Sequence, residues 1–293
     1  MSSLLLLHQE PPRLYFRPNS LQEALNVLAD TRATVLAGGT DVFPSLGDRP
    51  LSGPVLDISG LAEIRGIQFT PEHIVFGART TWTEVIAAPL PRGFDGLKAA
   101  AREVGSVQIQ NAATIAGNLC NASPAADGVA ALLALDAEVT LSSRSNSRTL
   151  PLSEFILGNR KTARRPDELL TSVRVSRRVE NAFSTFLKLG ARRYLVISIV
   201  MVAANLVLDP AGDIREALIC VGSCSAAALR LDELEHALVG RPARPGLRQI
   251  VKAGHLAKLS PIDDVRASAE YRRDAALTLV GRALDTCAQQ AGA

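Results

Sequence analysis

Two glycine-centred stretches carry residue types that can grip a ligand through the backbone. In VLAGGTDV, Val35 to Val42, an apolar strand-like run stops at Gly38 and Gly39 and then presents the Thr40 hydroxyl and the Asp41 carboxylate. A backbone without Cβ approaches a ligand closely and takes positive φ, so amides around Gly38 and Gly39 can form a small anion-binding concavity. The same residues also read as a plain sharp turn. The second stretch, Asn111 to Leu135, brings Thr114, Gly117, Asn118, Asn121, Ser123 and Asp127 into one small-residue run. Its amides and short side chains suit phosphates and hydroxyls, and a loop held by Asx-type bonds is the alternative.

Other chemistry is sparse. His8, His73, His236 and His255 show no triad or dyad spacing with the acids and read as surface or packed residues. Cys120, Cys220, Cys224 and Cys287 lack the paired short spacings of a zinc or iron–sulfur site, so buried free thiols are expected. Lys plus Arg exceed Asp plus Glu by 32 − 29 = 3, too little for a nucleic-acid footprint. The longest apolar run, Leu195 to Leu208, is shorter than the roughly 20 residues of a membrane span and contains Ser198 and Asn205, so it reads as a long buried strand. The start, MSSLLLLHQEPPR, has no basic segment before its leucines, which points to a cytoplasmic protein.

The elements that must position these stretches are partly legible. Ser20 and Glu23 stand at capping-box spacing before a helix from Leu21 to about Ala29, and Thr81 and Glu84 repeat the device. TVLAGGTD then reads as strand and tight turn, with PVLDIS, IRGIQF and HIVFGA as short strands. A helix from Asp127 feeds a strand that alternates at Val139 and Leu141. Further on, ELLTSVRV, FSTFLKLG, the long apolar run and REALICVG are strands, the last two joined by DPAGD as a hairpin loop. Ala269, Leu277, Val280 and Leu284 recur at helical spacing in a terminal helix that packs on this sheet. The Arg-rich segment from Arg144 to Arg178 marks a change of character, read as a solvated face or a docking surface, and a boundary near 178.

LAGGTDV in an N-terminal helix–strand unit, followed some seventy residues later by ATIAGNLCNASPAAD, resembles the flavin-binding medium subunits of the molybdenum hydroxylases, the xanthine dehydrogenase and carbon monoxide dehydrogenase family. An RKT element at Arg160 to Thr162 and a closing helix from Tyr271 to Leu284 extend the likeness over nearly the whole chain. The first strand–turn has no Gly-x-Gly-x-x-Gly fingerprint, so the dinucleotide is held in another way. The resemblance implies an α+β fold: an FAD-binding domain of two α/β subdomains over 1–178, then a C-terminal domain with an antiparallel sheet and packed helices over 179–293. It implies that Leu36, Ala37, Gly38, Gly39, Thr40 and Asp41 wrap the FAD pyrophosphate, flanked by Val35 and Val42. Thr114, Ala116, Gly117 and Asn118 would face the phosphates and ribityl chain, and Asp127 the sugar or adenine side. Gly105 would sit where the chain passes the cofactor, with Leu170 near the adenine and Lys188 near the isoalloxazine.

The resemblance further implies an electron-transfer role. FAD on this chain would take electrons from iron–sulfur clusters on a small partner subunit, fed by molybdopterin on a large one, and pass them to NAD, a quinone or oxygen. A self-sufficient FAD oxidoreductase and a flavin-free scaffold are the alternatives. Only the second glycine loop hints at the scaffold: the family carries two adjacent glycines there, and this chain has Ala116 before Gly117. If that position required positive φ, the methyl would cost roughly 1 kcal/mol or more.

Overall fold

The computed structural model describes residues 15–292. The leucine-rich start and His8 therefore lie outside the described residues. The chain opens with β1 (Tyr15–Phe16), α1 (Leu21–Asp30), β2 (Thr34–Leu36), α2 (Val42–Leu46) and β3 (Val55–Asp57). Both β1 and β2 pair with β3 in parallel, so the three strands end at one edge, and the glycine turn leaves that edge directly after Leu36. Ser20 caps α1 by accepting the Glu23 N–H at 3.3 Å, while the Glu23 carboxylate accepts from the Asn19 N–H rather than from Ser20.

The second layer contains β4 (Ile67–Phe69), β5 (His73–Gly77), α3 (Trp82–Ala87), α4 (Asp95–Glu103), α5 (Val107–Ala112), α6 (Ile115–Asn121) and α7 (Asp127–Leu133). It continues with β6 (Glu138–Ser142), β7 (Ser147–Pro151), the single turn α8 (Leu152–Phe155), the small pair β8 (Ile156–Gly158) and β9 (Lys161–Thr162), and β10 (Leu169–Ser176). Its antiparallel sheet runs β4-β5-β10-β6-β7. The capping box on α3 is complete: the Thr81 hydroxyl accepts the Glu84 N–H, and the Glu84 carboxylate accepts the Thr81 N–H at 2.8 Å. The Asn111 to Leu135 stretch, read from sequence as a loop leading into a helix, is mostly helical. Thr114 starts α6 by accepting the Gly117 N–H at 3.0 Å, Ile115, Ala116 and Leu119 give it a buried face, and Ala122 ends it in the left-handed region.

The last part contains β11 (Phe183–Leu189), β12 (Val200–Leu208), β13 (Ile214–Gly222), β14 (Leu229–Arg230), α9 (Asp232–Leu238) and α10 (Ala269–Ala291). Its four strands form an antiparallel sheet in chain order, with Asp209 to Asp213 as the β12–β13 turn. The side chains of β12 alternate between two cores. Met201, Ala203 and Val207 pack with the preceding layer, and Val200, Val202, Ala204 and Leu206 pack toward α9 and α10. Burial on both faces explains why the strand is nearly continuous in apolar residues. The run from Leu195 to Leu208 is not one strand, however: β12 begins at Val200, Leu195 has φ of 51°, and the Ser198 hydroxyl bonds away from the ladder. On α10 the buried stripe contains Val280 and Leu284 as expected, whereas Ala269 and Leu277 are only half-buried and the stripe also takes in Arg272. The overall architecture is α+β, and among the described residues no helix is long and apolar enough to cross a membrane.

Candidate functional site

The glycine turn answers to two separate physical demands. Gly39 takes φ of 72°, the left-handed region that glycine enters freely. Gly38 does not, but its Cα lies so close to the next segment that a Cβ would stand 1.9 Å from the Ala112 carbonyl oxygen. The first glycine thus lets the turn dock on the α5–α6 junction, and the second lets the chain reverse. Among the described residues, the N–H groups of Gly38, Gly39, Thr40 and Asp41 find no acceptor, and the Thr40 hydroxyl has no partner. Consecutive unbonded amides at the end of parallel strands form an anion-binding concavity.

The two glycine stretches meet in space. Asn121, closing α6, donates from Nδ2 to the Asp41 carboxylate at 2.9 Å. Burial pushes the Asp41 carboxyl above its ordinary value, with the Arg160 guanidinium opposing. Asp41 therefore fastens the turn to α6, and its negative charge makes it a poor direct partner for a phosphate. The amides at the start of α6 are already used: Ile115 N–H donates to Thr80 O, Ala116 N–H to Ala78 O and Gly117 N–H to the Thr114 hydroxyl. Thr114 and Ala116 are buried and make these bonds within the protein, and α6 also carries Asn118, whose Oδ1 is buried without a partner. Gly117 leaves the adjacent surface open, since a Cβ there would meet the Thr114 hydroxyl alone. Ala116 lies in the first turn of α6 with ordinary helical φ, so its methyl brings no strain.

A second cluster lies beyond Asn118. Asp127 starts α7 with only 6% exposure and accepts from Lys188 Nζ at 2.8 Å and from the Ser198 hydroxyl at 3.0 Å. Lys188 Nζ also donates to the Glu103 carbonyl at 3.3 Å, and Gly105, with φ of 57°, follows directly as the turn that ends α4. Gly105, Asp127 and Lys188 are therefore neighbours. Asp127 and Lys188, expected on the sugar or adenine side and near the isoalloxazine respectively, are bonded directly to each other. A cavity of about 380 Å³ opens beside them, walled by Glu103, Lys188, Gly190, Arg192, Arg193 and Val196. Leu170 lies on β10, which packs against α6, with its side chain 2% exposed in the core of the five-stranded sheet. Val35, Leu36 and Ala37 lead into the turn and Val42 begins α2, all half-buried.

Sequence reasoning missed Ser198 and Glu103. Ser198 was visible only as a polar interruption of an apolar run, and Glu103 carried no signal. The Arg-rich segment is not one face. Arg144 pairs with Asp30, Arg148 with Glu168, Arg174 with Glu138, Arg177 with Glu180, and Arg178 with Asp136 and Glu216. Cys220, Cys224 and Cys287 are buried free thiols as expected, whereas Cys120 is half-buried. Among the described residues no group of His, Cys, Asp and Glu stands together as a metal site.

A parallel-strand edge ending in unbonded amides, joined to a second glycine-containing segment and a buried ionic cluster, defines a nucleotide-binding α+β protein. The chain belongs to the FAD-binding medium subunits of the molybdopterin dehydrogenases. Residues 8–177 match the family described as the FAD binding domain in molybdopterin dehydrogenase, and residues 174–287 match the CO dehydrogenase flavoprotein C-terminal domain. It is 35% identical over 236 residues to the nicotinate dehydrogenase FAD-subunit of Eubacterium barkeri, covering 78% of this chain and 80% of that one. It is 31% identical over 285 residues to the putative xanthine dehydrogenase FAD-binding subunit of Escherichia coli, covering 95% and 97%. A carbon monoxide dehydrogenase structure from Hydrogenophaga pseudoflava, which lacks the Mo-pyranopterin moiety, superposes with a TM-score of 0.85 at 27% identity over 95% of this chain and 98% of that one.

The residues present fit the pyrophosphate of FAD at Gly38 to Asp41, where donors are free, and the buried Asn118 Oδ1, an acceptor without a partner, fits a donor such as a ribityl or sugar hydroxyl. Gly39→Ala strains one φ by about 1–2 kcal/mol, while Gly38→Ala drives a methyl into backbone. Both variants should retain less flavin, Gly38→Ala the less of the two, as read by absorbance after denaturation. Ala116→Gly should leave flavin affinity unimproved and lower stability by about 0.5–1 kcal/mol, the usual cost of glycine in a helix, measured by denaturant titration.

Burial raises the Asp127 carboxyl to about 6, against the pull of the Lys188 ammonium and the Ser198 hydroxyl. For a carboxyl raised on folding, the stabilising contribution is complete below its unfolded value of 3.8 and is lost as pH climbs through about 6. That loss is on the order of 3 kcal/mol for a shift of about two units. Asp127→Asn should flatten this part of the stability profile, seen as denaturation midpoints that no longer fall between about pH 4 and pH 7.

Proposed function

We propose that this chain is the flavin-carrying electron-transfer subunit of a molybdenum hydroxylase complex. It receives electrons from iron–sulfur clusters on a small partner subunit, which draws them from molybdopterin on a large one, and delivers them to NAD, a quinone or oxygen. The observation that carries the reading is the run of four unbonded amides from Gly38 to Asp41, a cradle with the donor set and placement a pyrophosphate requires. A bound flavin supplies one-electron exchange with clusters and two-electron exchange with a diffusible acceptor.

In this reading the chain's own residues bind and orient. The Gly38 to Asp41 amides and the Thr40 hydroxyl hold the phosphates, with Val35, Leu36, Ala37 and Val42 as their frame. Gly117 and Asn118 line the path, and Gly105, Asp127 and Lys188 form its polar end. Residues 1–178 would be the flavin-binding unit and 179–293 the unit that closes it. The relatives named as FAD subunits or medium chains of dehydrogenases support the need for partner chains. Four free thiols suit a reducing compartment and support a cytoplasmic location. The scaffold alternative loses its motive, because Ala116 is unstrained.

The test is to purify the chain, load it with FAD and offer purines, aldehydes and N-heterocycles. Turnover should be absent until the iron–sulfur and molybdenum subunits are added. Substrate-dependent bleaching of the flavin on the isolated chain would replace the relay with a self-sufficient oxidoreductase.

A further inference from the structure

Arg272 is a buried charge that the binding reading leaves unused. It sits in the first turn of α10, 1% exposed, where helix packing alone would favour an apolar side chain. Its Nη1 donates to the Ile199 carbonyl at 2.6 Å and to the Ser223 carbonyl at 3.1 Å, and its Nη2 donates to Asp264 at 2.7 Å. Asp264 is held in turn by Arg266, whose Nε donates to it at 3.0 Å and whose Nη1 reaches the Ser198 carbonyl at 3.4 Å. The Arg266 and Arg272 guanidinium groups keep the Asp264 carboxyl well below the usual range, so the clamp is fully charged.

The clamped peptide carries the site's missed residue. Ser198 has no exposure and donates to one oxygen of Asp127, while Lys188, at the other foot of the same loop, donates to the other oxygen. Both feet of the loop from Lys188 to Ser198 therefore rest on a single carboxylate of the second layer, that of Asp127. The Ser198 foot keeps its place because Arg266 and Arg272 hold the consecutive carbonyls of Ser198 and Ile199. Between the feet, Arg192 donates to the Leu195 carbonyl, and Tyr194, Leu195 and Ile197 stand exposed.

We propose that Arg272 is a positioning residue for the Asp127–Lys188 pair, acting from the C-terminal helix through the Ser198 hydroxyl. The proposal rests on the flavin-binding reading only for its affinity readout, since the loop readout needs no flavin. Arg272→Met keeps much of the packing volume and releases the carbonyls; Arg272→Lys keeps a charge that can reach one of them; Ser198→Ala removes the final link without touching α10.

On the purified chain, trypsin cleavage after Arg192 and Arg193 should quicken about tenfold in Arg272→Met, with partial recovery in Arg272→Lys. FAD affinity should weaken about tenfold in Ser198→Ala and by no more than that in Arg272→Met, and the double variant should be no weaker than Ser198→Ala alone, because linked residues are non-additive. Multiplied effects, or unchanged cleavage in a folded Arg272→Met, would overturn the proposal. If Arg272→Met fails to fold, Arg272→Lys against Ser198→Ala runs the same cycle, and additivity there counts against it equally. Altered cleavage with no FAD binding by any variant or by the unmodified chain would defeat the flavin reading while leaving the clamp intact.

Discussion

The structure depends on one sheet being buried on both sides. β12 places Met201, Ala203 and Val207 in the core of the nucleotide-binding layers and Val202, Ala204 and Leu206 in the core beneath α9 and α10. A one-residue slip would exchange the two side-chain sets between the cores, mismatching the volumes packed in each and turning Asn205 away from the Ala134 carbonyl. It also makes the contact between the two parts of the chain extensive and apolar. Asn205, on the face toward α7, adds a directional bond by donating to the Ala134 carbonyl at 2.7 Å.

On that rigid base, charge is used sparingly and locally. Asp127 is the acceptor at which the two parts meet, and its burial is tolerated because an ammonium and a hydroxyl both donate to it. The arginines between Arg144 and Arg178 are spent mainly on carboxylates of this same chain, fastening strands and turns. A charge run in sequence became a dispersed set of internal ties, because antiparallel pairing and the β10 crossover bring acids from distant positions alongside it.

The site gains its specificity from what remains unbonded. At α6 every amide of the first turn has an internal acceptor, so that helix start is a structural junction. At the glycine turn the amides from Gly38 to Asp41 are left without acceptors by a chain held tightly on either side, by the parallel strands before it and by the Ala112 contact and the Asn121 bond beside it. Free donors on a fixed backbone need no reordering to receive an anion.

By itself the sequence determined whatever depends on neighbours along the chain. The capped starts of α1 and α3, the strand leading into Gly38, the left-handed Gly39 and the apolar stripe around Val280 and Leu284 all follow from local sterics, hydrogen bonding and periodicity. Only the tertiary structure decided matters set by distant partners. It put Gly38 against Ala112, turned Thr114 and Ala116 inward, joined Asp127 to Lys188 and Ser198, buried Leu170, and started β12 at Val200 instead of Leu195. It also buried Arg272, whose three acceptors lie on separate segments. The physical reason is the same in each case: a polar group's role is set by which donors and acceptors surround it, and here those come from residues as much as 114 positions away, as Asp30 is from Arg144.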